Sequence, residues 1–375
     1  MILEKLFVGR PNIGNRERFL ERVGKIFDTR LLSNDGPMVR EFEQRLRELL
    51  CVKHVIAMCN ATVALEIASR AMGLHGEVIL PSYTFVATAH SLQWQQITPV
   101  FCDVDPLTHN IDPARIERLI SPRTTGVVGV HVWGRPCDTA AIEEIAARRN
   151  LAVMYDASHA FGCSNGGRMI GGFGACEVFS FHATKFVNCF EGGAVATNDD
   201  NLAERMRLMR NFGFVDYDKV IYLGVNGKMS EISAAMGLTS LESIDEFIAI
   251  NQRNYETYRN ELDSVDGLEV IRYDMSERNN FQYVVLEVDE RQCGASRDAI
   301  VAHLHSQNII ARKYFWPGCH RMEPYKSLQP NADVLLPQTN VVANRVIVLP
   351  TGQTVDQETV RHVCNQIRMV TTRRY

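Results

Sequence analysis

The sequence feature that most constrains the fold is an alternation of short apolar runs and helical segments between about residues 50 and 200. The runs are rich in valine and isoleucine, and each is short enough to be a single strand. They comprise residues 78–80, 99–104, 126–132, 151–155 and 177–181, with helical patterning between them at 84–94 and 138–149. Continuous apolar strands separated by helices are typical of a mostly parallel sheet covered on both faces. The pattern predicts an α/β fold.

The pattern changes toward the C-terminal part of the chain. Apolar residues recur at helical spacing from 229 to 250, which predicts one long helix leading out of the first domain. Strands are expected at 268–273, 281–288 and 344–349, and helices near 296–306 and 355–370. This mixture is typical of a smaller α+β unit. We therefore expect two domains, residues 1–250 and 251–375.

Charge and composition argue against several classes of protein. The net charge of −4 disfavours a nucleic-acid-binding surface. No run of 18 apolar residues occurs and the N-terminus is charged, so we expect neither a membrane span nor a signal peptide. The ten cysteines include no CxxC pair and no zinc-ligand spacing. We therefore expect reduced thiols, no bound metal and a cytoplasmic location.

A candidate phosphate site lies where an apolar helix begins after Asn60. Asparagine is a good N-cap, and residues 62–72 have the pattern of a helix that ends at Gly73. The free N–H groups and the positive dipole end of a helix start bind phosphate. Because an ordinary capped core helix has the same pattern, the segment is informative only together with other motifs.

Two ionisable side chains lie directly after or just past predicted strands, at the sheet edge where α/β folds bind ligands. Asp156 can face a cation such as a protonated heterocyclic nitrogen. Lys185 lies in a largely apolar stretch, where a lysine has a lowered pKa and can form a Schiff base. Phe85 follows another strand and offers a flat ring for stacking. Together with the phosphate site, these groups meet the requirements of pyridoxal 5′-phosphate (PLP).

The chain also resembles, along nearly its whole length, the fold-type I, PLP-dependent nucleotide-sugar aminotransferases of the DegT/DnrJ/EryC1/StrS type. The segments that carry the resemblance are VGRPNIG, NDGP, PSYTFVATAHS, DVDPLTHNIDP, HVWGRPCD, DASHAFG, SFHATKF, FEGG, RNFGF, NGKMSE and YFWPGCHRMEPY. The resemblance implies an aspartate-aminotransferase-like fold: a large domain with a mostly parallel seven-stranded sheet and a smaller α+β C-terminal domain. It also implies a homodimer with shared active sites.

The resemblance implies roles for individual residues in the chemistry. Lys185 is expected to hold the cofactor aldehyde and to act as the general base. Asp156 is expected to pair with the pyridinium nitrogen, which keeps the ring protonated. His159 is expected to lie close to the ring, and Phe85 to stack on it.

The resemblance implies a phosphate site for the cofactor as well. The backbone of Ala61 and Thr62 and the hydroxyl of Ser180 are expected to hold the phosphate. Asn226 is expected to reach it from the partner subunit. The loop has alanine at position 61, where the family usually has glycine.

The implied reaction moves an amino group from L-glutamate to C4 of dTDP-4-dehydro-6-deoxy-D-glucose, giving dTDP-4-amino-4,6-dideoxy-D-glucose and 2-oxoglutarate. The diphosphate of this nucleotide-linked keto-sugar needs cations or donors, since the protein is net negative. Candidates in the C-terminal domain are Lys313, Tyr314, His320 and Arg321.

Several alternatives remain open at this point. The substrate could be aminated at C3, or could be a GDP- or UDP-linked sugar, and the chain could be a non-catalytic PLP-binding regulator. Lys185 argues against a related group of dehydratases, which carry histidine at this position. A nicotinamide-dependent oxidoreductase would need GxGxxG after an early strand, and the sequence has no such segment.

Overall fold

The computed structural model describes residues 4–371. Its strands are β1 (Leu6–Phe7), β2 (His54–Met58), β3 (Glu77–Pro81), β4 (Thr98–Cys102), β5 (Thr124–Val130), β6 (Ala152–Asp156), β7 (Ser164–Asn165), β8 (Arg168–Met169), β9 (Cys176–Ser180), β10 (Gly193–Thr197), β11 (Phe214–Asp216), β12 (Lys219–Val220), β13 (Leu268–Val270), β14 (Val284–Val288), β15 (Ile309–Ile310) and β16 (Val346–Leu349). Its α-helices are α1 (Arg16–Thr29), α2 (Pro37–Leu50), α3 (Ala61–Ala71), α4 (Val86–Gln93), α5 (Pro113–Ile116), α6 (Thr139–Arg149), α7 (Asp200–Arg210), α8 (Glu231–Glu242), α9 (Ile244–Leu262), α10 (Glu290–Cys293), α11 (Arg297–Ser306), α12 (Tyr325–Leu328), α13 (Ala332–Leu335), α14 (Pro337–Arg345) and α15 (Gln357–Thr371).

A seven-stranded sheet in the order β2-β10-β9-β6-β5-β3-β4 forms the centre of the large unit. Neighbouring strands from β9 to β4 pair in parallel, whereas β10 pairs antiparallel with both β9 and β2. The strands are buried almost throughout, because helices cover both faces of the sheet. The five strands expected from the sequence are all present, and β2 and β10 complete the sheet.

Two hydrophobic cores lie on opposite faces of this sheet. One is formed largely by side chains of α2, α6 and α8 and includes Phe42, Leu46 and Phe181. The other contains side chains of α3, α4 and α7, including Leu65 and Met206. Burial on both faces fixes the strand ends in place, so the loops that follow them can hold side chains in defined positions.

The expectation of a single long helix over residues 229–250 is wrong. Helix α8 ends at Glu242, and α9 begins at Ile244. Ser243, with φ −109° and ψ 11°, separates the two helices. The helical spacing of apolar residues continues through the break, because both helices bury side chains against the same large unit. A break of one residue therefore cannot be recognised from the spacing alone.

The C-terminal unit is built on the antiparallel sheet β13-β14-β16. Helices α9, α11 and α15 pack on it through a separate core that includes Tyr258, Ile300 and Val363. The expected boundary between residues 250 and 251 falls inside α9. The N-terminal strand β1 pairs in parallel with β15, so the start of the chain also joins this unit.

Within residues 4–371, no helix is both long and apolar enough to cross a membrane. The same part of the chain holds no group of three or more histidine, cysteine, aspartate or glutamate side chains placed to bind a metal ion.

Candidate active site

A cavity of about 290 Å³ opens at the carboxyl ends of the parallel strands, next to the start of α3. Most of the residues singled out from the sequence line it. They are Ala61, Thr62, Phe85, Asp156, His159, Ser180, Lys185 and Tyr314. Asn226, Lys313, His320 and Arg321 lie outside the lining. The topology brings together all of the first set except Tyr314, because parallel strands end at one edge of the sheet, whereas Tyr314 reaches the cavity from the C-terminal unit.

The phosphate motif forms a capped helix start, as the sequence suggested. Asn60 adopts an extended backbone conformation, and its side chain accepts from Val63 N at 2.9 Å. Ala61 is the first residue of α3 and does not have a positive φ, so alanine is accommodated there without strain. The amides of Ala61 and Thr62 come before that of Val63, the amide that the Asn60 side chain caps. This end of the helix therefore supplies N–H groups and a positive dipole end to the cavity.

Glycine at position 193 lets β10 approach this helix start. A Cβ on Gly193 would lie 2.6 Å from Ala61 N and 2.5 Å from Asn60 C, both of them backbone atoms. Any side chain here would displace the helix start. The second glycine of the FEGG segment is therefore required for the position of the helix start at the cavity.

Asp156 ends strand β6, and its carboxylate is buried, with 5% exposure. Oδ1 accepts from Ser158 N at 3.0 Å, and Oδ2 accepts from the Thr88 hydroxyl at 2.8 Å. Across residues 4–371 it takes part in no ion pair. A buried carboxylate is costly unless a charge or several donors compensate it. The site therefore suits a cationic group that enters from the cavity.

Lys185 lies in the loop after β9, and its amino group donates to the Tyr283 hydroxyl at 3.1 Å. Burial lowers the pKa of Lys185 to about 8, although the Asp156 carboxylate acts in the opposite direction. An appreciable fraction of the amine is therefore neutral near pH 7 to 8, and a neutral amine is the nucleophilic form.

His159 is a buried, neutral ring among aromatic side chains. It stacks on Trp133 and Phe315, with interplanar angles of 21° and 17°. Nδ1 accepts from Trp133 N at 3.2 Å. Burial, and then the nearby charge of Lys185, hold the pKa of His159 well below its ordinary value. The histidine can thus lie beside a ligand ring without adding a positive charge.

Phe85 precedes α4 as its N-cap residue, and 57% of its surface is exposed. An exposed aromatic ring on the wall of a cavity is available to cover one face of a flat ligand. Ser180, the last residue of β9, also lines the cavity and is paired in register with Gly193, which lies beside the start of α3.

The predicted sugar-binding residues have different surroundings. Tyr314 reaches the cavity, and the guanidinium of Arg312 lies 4.8 Å from its ring centroid. Lys313 Nζ pairs with Asp298 at 3.1 Å and lies over the Trp316 ring.

His320 and Arg321 are engaged away from the cavity. The His320 ring is bonded to Ser82 Oγ at 2.7 Å and to Asn340 at 3.1 Å, and burial lowers its pKa. Arg321 pairs with Asp333. In this single chain, Tyr314 is therefore the one of the four candidates that lines the cavity.

Asn226 lies on an exposed segment outside the cavity, where it forms an isolated antiparallel bridge with Asn211. The segment from 212 to 225 carries several exposed apolar side chains, among them Tyr217 at 95% and Leu223 at 71% exposure. In the single chain, Asn226 therefore does not line the cavity.

The structure adds residues to the site that the sequence did not single out. Thr88 contacts the Asp156 carboxylate, and Tyr283 and Phe315 reach the cavity from the C-terminal unit. Thr88 follows Phe85 by three residues, which is about one helical turn. The helix predicted there could therefore have indicated that Thr88 lies on the same side as Phe85. Tyr283 and Phe315 had no such signal, because their position depends on how the two units pack.

This fold and this cavity define an aminotransferase. Residues 14–368 match the DegT/DnrJ/EryC1/StrS aminotransferase family, and the chain belongs to that family. The family, fold class and enzyme class expected from the sequence are thereby confirmed.

Individual relatives are similar along almost the entire chain. A dTDP-4-amino-4,6-dideoxy-D-glucose transaminase of Shigella dysenteriae is 38% identical, over 97% of this chain and 99% of the relative. A GDP-perosamine synthase of Caulobacter vibrioides is 37% identical, over 87% of this chain and 88% of that protein. The crystal structure of DesI with its TDP-sugar product has a TM-score of 0.95 and 47% identity, and covers 99% of this chain and 94% of that chain.

Proposed function

We propose that the enzyme uses PLP to transfer an amino group from L-glutamate to C4 of dTDP-4-dehydro-6-deoxy-D-glucose. The products are dTDP-4-amino-4,6-dideoxy-D-glucose and 2-oxoglutarate. The observation that carries the proposal is one cavity that contains both a buried carboxylate without an ion-pair partner in the described chain and a lysine whose pKa is lowered to about 8. The names of the Shigella dysenteriae relative and of the DesI structure support the choice of sugar.

The donor set of the cavity fits PLP. Asp156 would face the ring nitrogen, and its unpaired buried charge calls for a cation at that place. The start of α3 at Ala61 and Thr62, with the Ser180 hydroxyl, would hold the phosphate. Phe85 and His159 would flank the ring. Bound PLP supplies an aldehyde that takes up amino groups and a protonated ring that withdraws electrons from them.

Lys185 moves the protons in the proposed reaction. The neutral Lys185 amine would bind the aldehyde of the cofactor and would be released when L-glutamate takes its place. The free Nζ would then take the proton from Cα of glutamate and, in the second half-reaction, would deliver a proton to C4 of the sugar. Because a single base acts from one side of the cavity, one stereoisomer results. Tyr283 orients Nζ through the hydrogen bond between them.

The diphosphate of the sugar nucleotide requires cations beyond those of the cavity lining. Lys185 is the one lysine or arginine side chain among the described lining residues. Arg312, which is exposed and stacked on Tyr314, lies at the rim, and Lys313 is its neighbour. We propose that Tyr314 with these cations contacts the substrate, and that His320 and Arg321 contribute only if the rim rearranges.

We also propose a cytoplasmic homodimer in which Asn226 of the partner subunit completes the phosphate site. The exposed apolar side chains between residues 212 and 225 support an interface there, since large exposed apolar patches mark contact surfaces. We further propose that residues 1–250 and 251–375 form two domains, which helix α9 connects.

A GDP-linked keto-sugar is the second candidate substrate. The 37% identity with a GDP-perosamine synthase favours it over other nucleotide sugars. Both candidates share a nucleoside diphosphate and a ketone on the sugar, so the same cavity chemistry serves either.

An absorbance titration tests the proposal. The purified protein is mixed with PLP, then with L-glutamate, and finally with dTDP-4-dehydro-6-deoxy-D-glucose or its GDP-linked counterpart. We expect the band of lysine-bound PLP to change to that of pyridoxamine phosphate with glutamate and to return with the dTDP-sugar. If the band of lysine-bound PLP returned only with the GDP-linked sugar, the second candidate would be the substrate. The absence of a lysine-bound band would contradict the assignment of PLP and Lys185.

A further inference from the structure

A chain of buried hydroxyl groups holds the Asp156 carboxylate. Thr88 Oγ1 donates to Asp156 Oδ2 at 2.8 Å, and Thr84 Oγ1 lies 2.9 Å from Thr88 Oγ1. Thr84 is 2% exposed and Thr88 1% exposed. Both belong to one short segment, because Thr84 precedes the N-cap residue Phe85 and Thr88 lies in the first turn of α4. The reaction steps described above assign no role to either hydroxyl.

The direction of this chain follows from the single proton that each hydroxyl carries. A threonine hydroxyl donates one hydrogen bond and has two lone pairs with which to accept. The strongest acceptor near Thr88 is the Asp156 carboxylate, so the proton goes there rather than to Phe85 O at 3.1 Å. Thr84 must then donate to Thr88. Both hydroxyls therefore point toward Asp156.

We propose that Thr84 and Thr88 are positioning residues that donate toward the Asp156 carboxylate and hold it oriented toward the ring nitrogen of the bound cofactor. The inference rests on the proposed function, because it needs PLP in the cavity. The Ser158 amide supplies a second donor, on Oδ1. With both oxygens accepting hydrogen bonds, the burial of the carboxylate is compensated and its orientation is fixed.

The proposal predicts where a shared proton lies. When the ring nitrogen meets Asp156, the proton between them stays on the ring as long as the carboxylate is well stabilised. Loss of the Thr88 donor makes the carboxylate a stronger base and draws the proton toward it. A ring without its proton withdraws electrons less effectively, so turnover slows although L-glutamate still binds.

The matched variants are Thr88→Val, which keeps the side-chain shape without the hydroxyl, and Thr88→Ser, which keeps the hydroxyl. Thr197→Val is the control. Thr197 is also 1% exposed, and its hydroxyl donates to Ala175 O at 2.7 Å, at the end of β10 remote from Gly193. Each holoenzyme is loaded with PLP that carries ¹⁵N in the ring, and the ring-nitrogen chemical shift, kcat and the KM for L-glutamate are measured.

In Thr88→Val, we expect a ring-nitrogen shift displaced toward the unprotonated value. We expect kcat to fall by roughly tenfold, as for loss of a hydrogen bond to a charged group, with KM within about twofold. Thr88→Ser and Thr197→Val should keep the wild-type shift. A wild-type shift in Thr88→Val would overturn the proposal. If the ring-nitrogen shift of Thr88→Ser were displaced as far as that of Thr88→Val, the proposal would also be overturned, because the effect would then come from the packing of the methyl group.

Thr84→Val provides a test that survives if Thr88→Val does not fold. It leaves Thr88 and Asp156 in place but removes the donor behind them, so we expect a smaller displacement in the same direction. A wild-type shift in Thr84→Val would exclude a relay through this residue. Failure of the proposed function is distinguishable, because the wild-type protein would then show no bound PLP signal at all.

Discussion

The amino group of Lys185 and the hydroxyl of Tyr283 are joined by a hydrogen bond of 3.1 Å that spans the two folding units. Lys185 follows strand β9 of the large sheet, whereas Tyr283 directly precedes β14 of the C-terminal sheet. Burial raises the pKa of Tyr283, so its phenol stays protonated at physiological pH. The position of the reactive amine therefore depends on the packing of one unit against the other.

Removing this hydroxyl should disturb the lysine without removing it. In Tyr283→Phe, we expect kcat to fall by about tenfold or more, because Nζ loses its orienting partner, and we expect little change in PLP affinity. Tyr258→Phe is the matched control, since Tyr258 is a fully buried tyrosine of the same unit whose hydroxyl donates to Pro350 O at 3.0 Å. Steady-state kinetics would contradict this role of Tyr283 if both variants lost turnover equally per folded molecule.

The lowered pKa of Lys185 predicts the pH dependence of PLP capture by the apoenzyme. The amine reacts when neutral, and with a pKa of about 8 its neutral fraction is about one tenth at pH 7 and nine tenths at pH 9. The rate constant should therefore rise about tenfold over this range and then level off. A lysine with an ordinary pKa would give a rate that still climbs steeply at pH 9.

Borohydride trapping followed by peptide mass analysis would assign the captured PLP to Lys185, and Lys185→Ala should give no adduct at this peptide.

The lowered pKa of Lys185 also has a consequence for folding. Because it lies below the unfolded value of 10.5, the folded apoenzyme binds fewer protons than the unfolded chain between about pH 8 and 10.5. The contribution of Lys185 to the free energy of unfolding thus rises with pH in that window.

The strands of the parallel sheet were predictable, because each is a short apolar run separated from the next by a helical or polar segment. Asp156 and Lys185 could be identified from their places relative to these runs, since Asp156 directly follows the run 151–155 and Lys185 lies just past the run 177–181. Strand β10 was harder to predict from the sequence. Its GAVAT sequence is short and apolar throughout, so the spacing of apolar residues cannot distinguish a buried strand from part of a helix. The break at Ser243 was hidden because the apolar residues continue in register on both sides of it.

Sequence spacing could not show which of the basic residues near position 313 reach the cavity. Lys313 and Arg321 are neighbours of Tyr314 along the chain, yet each is paired with an aspartate elsewhere on the surface. His320 is held by Ser82, more than two hundred residues earlier. Such contacts depend on the three-dimensional path of the chain, which local sequence patterns do not encode.

Gly193→Ala should weaken the binding of the cofactor's phosphate. Its Cβ would lie 2.6 Å from Ala61 N, so the start of α3 must move. We expect the Kd for PLP to rise by about tenfold or more, while the Kd for pyridoxal, which lacks the phosphate, changes much less. Equal weakening of both ligands would show that the substitution damages the cavity as a whole.

Gly24→Ala is the control for this glycine. It lies within α1, and a Cβ there would meet no atom within 4 Å. Alanine favours the helix, so Gly24→Ala should raise the free energy of unfolding by about 0.5–1 kcal/mol and leave both affinities unchanged. Chemical denaturation monitored by circular dichroism provides the stability, and equilibrium dialysis provides the two dissociation constants.

Mixed dimers test whether Asn226 acts across an interface. Lys185→Ala and Asn226→Ala each inactivate both sites of their own homodimer in the proposed arrangement. A mixed dimer has one site with an intact lysine from one subunit and an intact asparagine from the other, while its second site lacks both. Random reassociation of equal amounts makes half of the dimers mixed, so about a quarter of the wild-type activity should return. Reassociation of Lys185→Ala with itself is the control and should recover none. If Asn226 acted within its own subunit, the mixture would stay as inactive as the separate variants, and the shared site would be excluded.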